Sequence, residues 1–226
     1  MKMDLNCDMG ELEDAPHEAA LMEYITSANI ACGGHAGDEA TMERTARLAL
    51  ARAVRIGAHP SYPDRVNFGR VAMLLSETEV ENTVRQQIER LEAVVRKLGG
   101  RIEHIKPHGA LYNVAARDES VARAIGRAVV AWNPKAIVFG LLGSRSLEVW
   151  RAMGLQTAAE AFADRRYEPD GSLRPRKFAD ALIIDPAEAA AQAARFAREG
   201  NAQTICVHGD TPGAVAILKA CRRALT

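Results

Sequence analysis

The sequence has no excess of either charge: 29 lysines and arginines balance 29 aspartates and glutamates. No basic run exceeds a few residues, so the electrostatic footprint of a nucleic-acid-binding protein is missing. No stretch approaches the roughly 18 apolar residues of a membrane helix. Met1-Lys2-Met3-Asp4 leads directly into a strand pattern without the apolar core of a signal peptide, and a cytoplasmic protein is expected. The four cysteines, Cys7, Cys32, Cys206 and Cys221, form no CxxC pair, which excludes a zinc knuckle and a redox motif. Cys7, Cys32 and Cys206 lie in or beside apolar runs and read as small buried hydrophobes. A GxxxxGK(S/T) loop, a GxGxxG turn and a GxSxG elbow are all missing, which excludes a P-loop, a Rossmann fingerprint and a serine hydrolase elbow. No linker, repeat or low-complexity segment breaks the chain. Its 226 residues suit one domain, 1–226, large enough to bury a core without disulfides.

What is present is alternation. Seven short apolar runs, Met3–Cys7, Ile25–Ala31, Arg55–His59, Ile102–Lys106, Ala136–Leu141, Gln156–Ala161 and Thr204–His208, read as strands. Each is followed by a loop and a helical pattern. Ser76 with Glu79 predicts a capping box, followed by Val80, Val84, Ile88, Leu91, Val95 and Leu98 at helical spacing and a stop at Gly99-Gly100. Asp185-Pro186 with Glu188, Thr211-Pro212 and Asp38 mark further helix starts. Alternation of this kind gives a parallel α/β architecture. An open sheet gathers its ligand at one crevice, whereas a barrel gathers residues from every strand end around one mouth. Here polar clusters follow almost every strand, which favours a closed, seven-stranded parallel (β/α) barrel.

Asp4, Asn6 and Asp8 share one face of the first strand, with Glu11 just beyond it. Asn29 lies in the second strand, and His35 stands among Gly33, Gly34 and Gly37 before a helix start, where free N–H groups suit an anion. His59 ends the third strand, with Arg70 in the loop behind it. His104 and Lys106 share a face of the fourth, and His108 continues the parity. A lysine at the end of a buried strand is hard to explain structurally. Glu160 lies at the end of the sixth strand, Asp164 and Arg165 follow it, with Arg176 further along its loop, and the seventh ends in His208, with Asp210 just beyond. Turn chemistry accounts equally well for Asn6 and Glu11, and a plain N-cap for Asp38. The residues expected to carry chemistry are Asp8, His35, His59, Lys106, His108 and Glu160. Substrate contacts are expected from Asn6, Asn29, Arg70 and Asp164, together with Arg165, Arg176, His208 and Asp210. Histidines exchange protons near neutral pH, and Lys106 and the arginines suit a carboxylate, a phosphate or a developing oxyanion.

Asp4–Glu11 (DLNCDMGE), Ser27–Gly33 (SANIACG), His35–Asp38 (HAGD), Gly57–Pro60 (GAHP), Lys106–Asn113 (KPHGALYN), Phe162–Tyr167 (FADRRY) and His208–Val215 (HGDTPGAV) together resemble the LamB/YcsF family, in family order along nearly the whole chain. The resemblance implies a seven-stranded barrel related to glycoside hydrolases and polysaccharide deacetylases. It also implies a reaction, 5-oxoproline plus ATP and water giving glutamate, ADP and phosphate, in which ATP is co-substrate and two further 5-oxoprolinase subunits take part. Phosphorylation of the amide oxygen would activate the resonance-stabilised lactam. The chain departs from the family at Gly34 and Glu39, where many members carry Phe and Pro, and at Val71, where an Arg is common. The segment between Glu11 and Ile25 is short and lacks the usual Phe-Gly stretch. Two other readings stay open. One is a deacetylase-like hydrolase with a divalent metal on Asp8, His59 and His108, which metal content would reveal. The other is a non-catalytic subunit that binds a small acid.

Overall fold

The computed structural model describes residues 3–12 and 14–226. Met1, Lys2 and Glu13 lie outside the described residues, and with them the first part of the N-terminal reading and one position of the short segment. The described strands are β1 (Asp4–Met9), β2 (Ser27–Ala31), β3 (Arg55–His59), β4 (Ile102–Ile105), β5 (Ile137–Leu141), β6 (Gln156–Phe162) and β7 (Thr204–Cys206). They pair in chain order, all parallel, and β1 closes on β7 through Asp4↔Thr204, Leu5↔Ile205 and Asn6↔Cys206. The expected barrel is therefore observed. Eight described helices surround it: α1 (Ala15–Met22), α2 (Glu39–Ala51), α3 (Glu77–Lys97), α4 (Gly109–Ala115), α5 (Glu119–Trp132), α6 (Arg145–Ala152), α7 (Pro186–Glu199) and α8 (Ala214–Ala224). None of them is long and apolar enough to cross a membrane.

Helix starts follow local chemistry. Ser76 and Glu79 form the capping box of α3, Asp38 accepts from Thr41 N ahead of α2, and Asp185 accepts from Glu188 N ahead of α7. The third expected start is displaced. The helix α8 begins at Ala214 behind Gly213, and Thr211 Oγ1 donates to Asp164 Oδ2 (2.5 Å) instead of capping. The short segment after Glu11 still forms a helix, α1. Its buried Glu18 accepts from Gly10 N at the end of β1 and from Thr45 Oγ1 of α2.

Strand parity divides the molecule into an apolar shell and a polar lumen. Leu5, Cys7 and Met9 of β1 point outward into the core shared with helix residues such as Leu21, Met42, Ile88 and Trp150. Asp4, Asn6 and Asp8 point inward, where barrels ordinarily carry branched aliphatics. Every buried polar group there needs a partner, since burial without one costs about 1–3 kcal/mol. At one end Asp4 accepts from Ser27 (2.8 Å), Thr204 (2.6 Å), Thr26 (2.5 Å) and Arg55 (2.5 Å). In the middle His104 stacks on Phe139, with ring centroids 4.3 Å apart, and its Nε2 lies 2.8 Å from Asn29 Oδ1. Burial pushes His104 down to about 3, so the ring stays neutral. It belongs to the frame of the barrel.

Candidate active site at the barrel mouth

Lys106 stands directly beyond β4 and is buried. Its Nζ donates to Asp8 Oδ1 (2.8 Å), Asn6 Oδ1 (3.2 Å) and Cys206 Sγ (3.1 Å), and lies 3.0 Å from Glu160 Oε1. Burial works against the ammonium, but Asp8 and Glu160 outweigh it, and the Lys106 pKa sits well above its ordinary value. Burial likewise opposes ionisation of Asp8, and the charges of His59 and Lys106 overcome it, holding Asp8 well below the usual carboxylate range. Asn29 Nδ2 donates to Asp8 Oδ1 (2.9 Å), Asn6 Nδ2 to Glu160 Oε1 (2.9 Å), and Tyr112 Oη to Glu160 Oε2 (2.8 Å). Burial, then Glu160, raises the Tyr112 phenol well above its ordinary value, so it remains a donor. One ammonium thus serves two buried carboxylates, and strands β1, β2, β4 and β6 each fix part of the arrangement.

Beside this group lie His35, His59, His108 and Glu11. His59 Nδ1 donates to Lys106 O (2.6 Å) and His108 Nε2 to Phe68 O (3.0 Å). His35 stacks flat on His108 at 3.7 Å, and its Nε2 lies 2.8 Å from Glu11 Oε1. Burial would depress His59, yet Asp8 raises it overall, whereas burial and the neighbouring rings push His108 well down. Burial also lowers His35, outweighing Glu11. The loops confine these rings. Gly109, at φ +56° where α4 begins, would bring a Cβ within 2.5 Å of Gly69 O, so only glycine lets the loops after β3 and β4 meet here.

The mouth encloses a cavity of about 150 Å³, lined by Asp8, His59, Lys106, His108 and His208, with Arg70, Arg165 and Arg176 at its rim. Asp210 pairs with Arg70 and Arg176. Burial, then Arg176, lowers Arg165 to about 10, and it remains a cation at neutral pH. Asp164 is buried and pairs with His208 Nδ1 (3.0 Å), aiming that ring from behind.

All fourteen residues expected from sequence sit at or just beneath this mouth, in two layers. Asp8, His59, Lys106, His108, Arg70, Arg165, Arg176 and His208 line the cavity. Asn6, Asn29, Glu160, Asp164, Asp210 and His35 touch the lining residues instead. Cys206 is buried as expected, but its Sγ faces Lys106 rather than the apolar core. Three residues went unclaimed by the sequence reading. Glu11 looked like turn chemistry, Tyr112 stands one helical turn beyond His108, and Phe162 stacks on His208. The spacing of His108 and Tyr112 in the loop-helix segment was the available signal for Tyr112. Gly34 has a structural explanation as well. A Cβ there would lie 2.4 Å from Gln87 Oε1 and 2.5 Å from Ser61 Oγ, so Gln87 of α3 fills the space a larger residue would need.

Comparison with known proteins agrees with this architecture. Proteins named as the A subunit of 5-oxoprolinase, from Chloroflexus aggregans and Bordetella pertussis, are 47% and 44% identical, covering 100% and 99% of this chain and 95% and 94% of theirs. The alignment with the former spans 240 positions, more than the 226 residues here, so the relative carries residues this chain lacks. The lactam utilization protein from Thermus thermophilus superposes with a TM-score of 0.91 at 40% identity, covering 100% of this chain and 96% of that one. A chitinase from Chromobacterium violaceum, 14% identical with a TM-score of 0.54 over 99% of both chains, shares the barrel fold alone. A model of the LamB/YcsF family matches residues 3–226, and the chain belongs to that family.

Proposed function

We propose that this chain is the lactam-opening subunit of a cytoplasmic, ATP-dependent 5-oxoprolinase. The observation that carries the reading is the buried Asp8–Lys106–Glu160 group at the floor of a small cavity with an arginine rim, in a chain 44–47% identical over its length to proteins named as the A subunit of that enzyme. The volume of about 150 Å³ is well below the roughly 300–1,000 Å³ of pockets for larger ligands and suits a single-ring acid. Arg70, Arg165 and Arg176 would take the ring carboxylate. Lys106 would meet the lactam oxygen or its phosphate ester as charge builds there. Asp8 and His59 would orient the attacking water and accept its proton. ATP drives the opening in the assembled enzyme together with two partner subunits. The test is reconstitution with the partner subunits and 5-oxoproline, following glutamate and ADP. Stoichiometric formation of both, lost when this chain is omitted, is expected. Full turnover by the partners without this chain overturns the reading.

A further inference from the structure

His59 and His108 turn lone pairs toward one another. Each neutral ring has one N–H, and each spends it on a backbone carbonyl: His59 Nδ1 on Lys106 O and His108 Nε2 on Phe68 O. The nitrogens left over, His59 Nε2 and His108 Nδ1, stand 3.0 Å apart on buried rings. Two acceptors so placed repel unless a proton on one of them or a metal ion lies between them. Carboxylates complete the surroundings. Glu11 Oε1 lies 3.3 Å from His108 Nδ1 and 3.7 Å from His59 Nε2, and Asp8 Oδ2 lies 3.4 Å from His59 Nε2. Asp8, Glu11 and Glu160 carry three formal negative charges against the single ammonium of Lys106.

We propose that His59 Nε2, His108 Nδ1 and the carboxylates of Glu11 and Asp8 bind one divalent transition-metal ion of the zinc type. Bonds of about 2.0–2.1 Å to a tetrahedral ion put neighbouring donors roughly 3.3–3.4 Å apart. The three separations among His59, His108 and Glu11 bracket that value, and Asp8 Oδ2 meets it toward His59. The backbone carbonyls that hold both imidazoles are the outer partners expected of ligating histidines. His35 does the same for Glu11, through its 2.8 Å contact and its stack on His108. Lys106 and Asn29 occupy Asp8 Oδ1 and leave Oδ2 toward the histidines. Two imidazoles among the donors favour zinc over manganese, magnesium or calcium. The inference deepens the hydrolytic reading of the mouth and rests on it only for use, since a bound ion there would supply a Lewis acid or an activated water to the amide, in place of proton transfer to His59, whose Nε2 would then be a ligand. Binding itself does not depend on which amide is opened.

The experiment strips the full chain with a chelator, adds Zn²⁺, Mn²⁺ or Mg²⁺ in turn, and reads bound metal by elemental analysis and affinity by calorimetry. One equivalent of zinc per chain is expected, with weaker manganese, no magnesium, and imidazole scatterers at about 2.0–2.1 Å in X-ray absorption. His59→Asn and His108→Asn should each weaken zinc at least about tenfold with circular dichroism unchanged. If those variants do not fold, Glu11→Gln, in the loop after β1, decides the matter by the same tenfold criterion. A wild-type chain that retains no zinc, a preference for magnesium, or full zinc affinity in the folded variants overturns the proposal. Intact zinc binding without lactam turnover counts against the functional reading alone.

Discussion

A buried ammonium persists only where carboxylates surround it, and this makes Lys106 the most informative single residue to change. In Lys106→Met the methionine fills a similar volume, but Asp8 and Glu160 lose their shared cation. Removing one partner from a buried ion pair costs about 3–5 kcal/mol when nothing compensates. Here the two carboxylates can take up a proton, so a folded protein with a lowered melting temperature is expected. Its deficit should narrow as the pH falls. Turnover in the reconstituted complex should fall by about 10²–10³, the usual loss for one oxyanion stabiliser. Thermal melting paired with turnover checks both parts, and near-wild-type turnover removes Lys106 from the chemistry. Asp4 supports the opposite end of the lumen and offers a stability test free of catalysis. Burial opposes its charge, but Arg55, then Thr204, Thr26 and Ser27, hold its pKa below the ordinary 3.8. A depressed pKa contributes stability that is present above the unfolded value and lost as the pH falls through the folded one. Asp4→Asn should therefore cost about 1–3 kcal/mol at pH 7. The gap to wild type should hold down to about pH 5 and close below the ordinary 3.8. Urea titrations across that range decide it, and a gap that stays constant in acid would show that the charge of Asp4 is not what matters.

At the level of elements, sequence pattern reveals most where parity is strict and least where strands end. The seven runs were legible because outward-facing Leu5, Cys7 and Met9 alternate with inward-facing Asp4, Asn6 and Asp8. The ends were not. The strand β1 runs on to Met9 because Asp8 and Met9 still pair with Asn29 and Ile30 of β2. The strand β7 stops at Cys206, two residues short of His208. The convergence of the site residues on one mouth followed from strand direction. Their division into lining and supporting layers did not, because it depends on which atoms across the lumen they reach. Gly57 shows a constraint of this kind between neighbouring strands, since it pairs with His104 of β4. A Cβ there would lie 2.0 Å from His104 Nε2, and that ring is fixed by Phe139 and Asn29. Gly57→Ala in β3 should destabilise the barrel by about 1–3 kcal/mol through overpacking. His104→Ala in the same chain vacates the space, so the double variant should lose less than the sum of the singles. Additive losses in a denaturant titration would show that the two strands do not meet in this way.

For the whole molecule, the deciding feature is the mismatch between the cavity and the reaction assigned to it. Opening a resonance-stabilised lactam needs activation, and the proposed source is ATP. Yet the cavity at the mouth has only about 150 Å³, the sequence has no P-loop, and the buried ammonium of the floor is already committed to carboxylates. That cavity alone does not hold a nucleotide together with a lactam, and the groove of about 610 Å³ that adjoins it at Asn113, Arg165 and Leu173 carries no phosphate-binding loop. On the proposed reading the barrel receives one small acid and stabilises charge on it. The phosphoryl group would then have to be delivered from a partner subunit meeting the mouth. The purified chain alone is accordingly expected to bind 5-oxoproline but to release almost no glutamate with ATP present. Adding the partner subunits should raise the rate by orders of magnitude without changing the lactam specificity. Calorimetry on the isolated chain, followed by glutamate release with and without partners, measures both halves of this expectation. Robust ATP-dependent ring opening by the isolated chain would mean that it houses the nucleotide itself, and the division of labour argued from cavity size would fall with it.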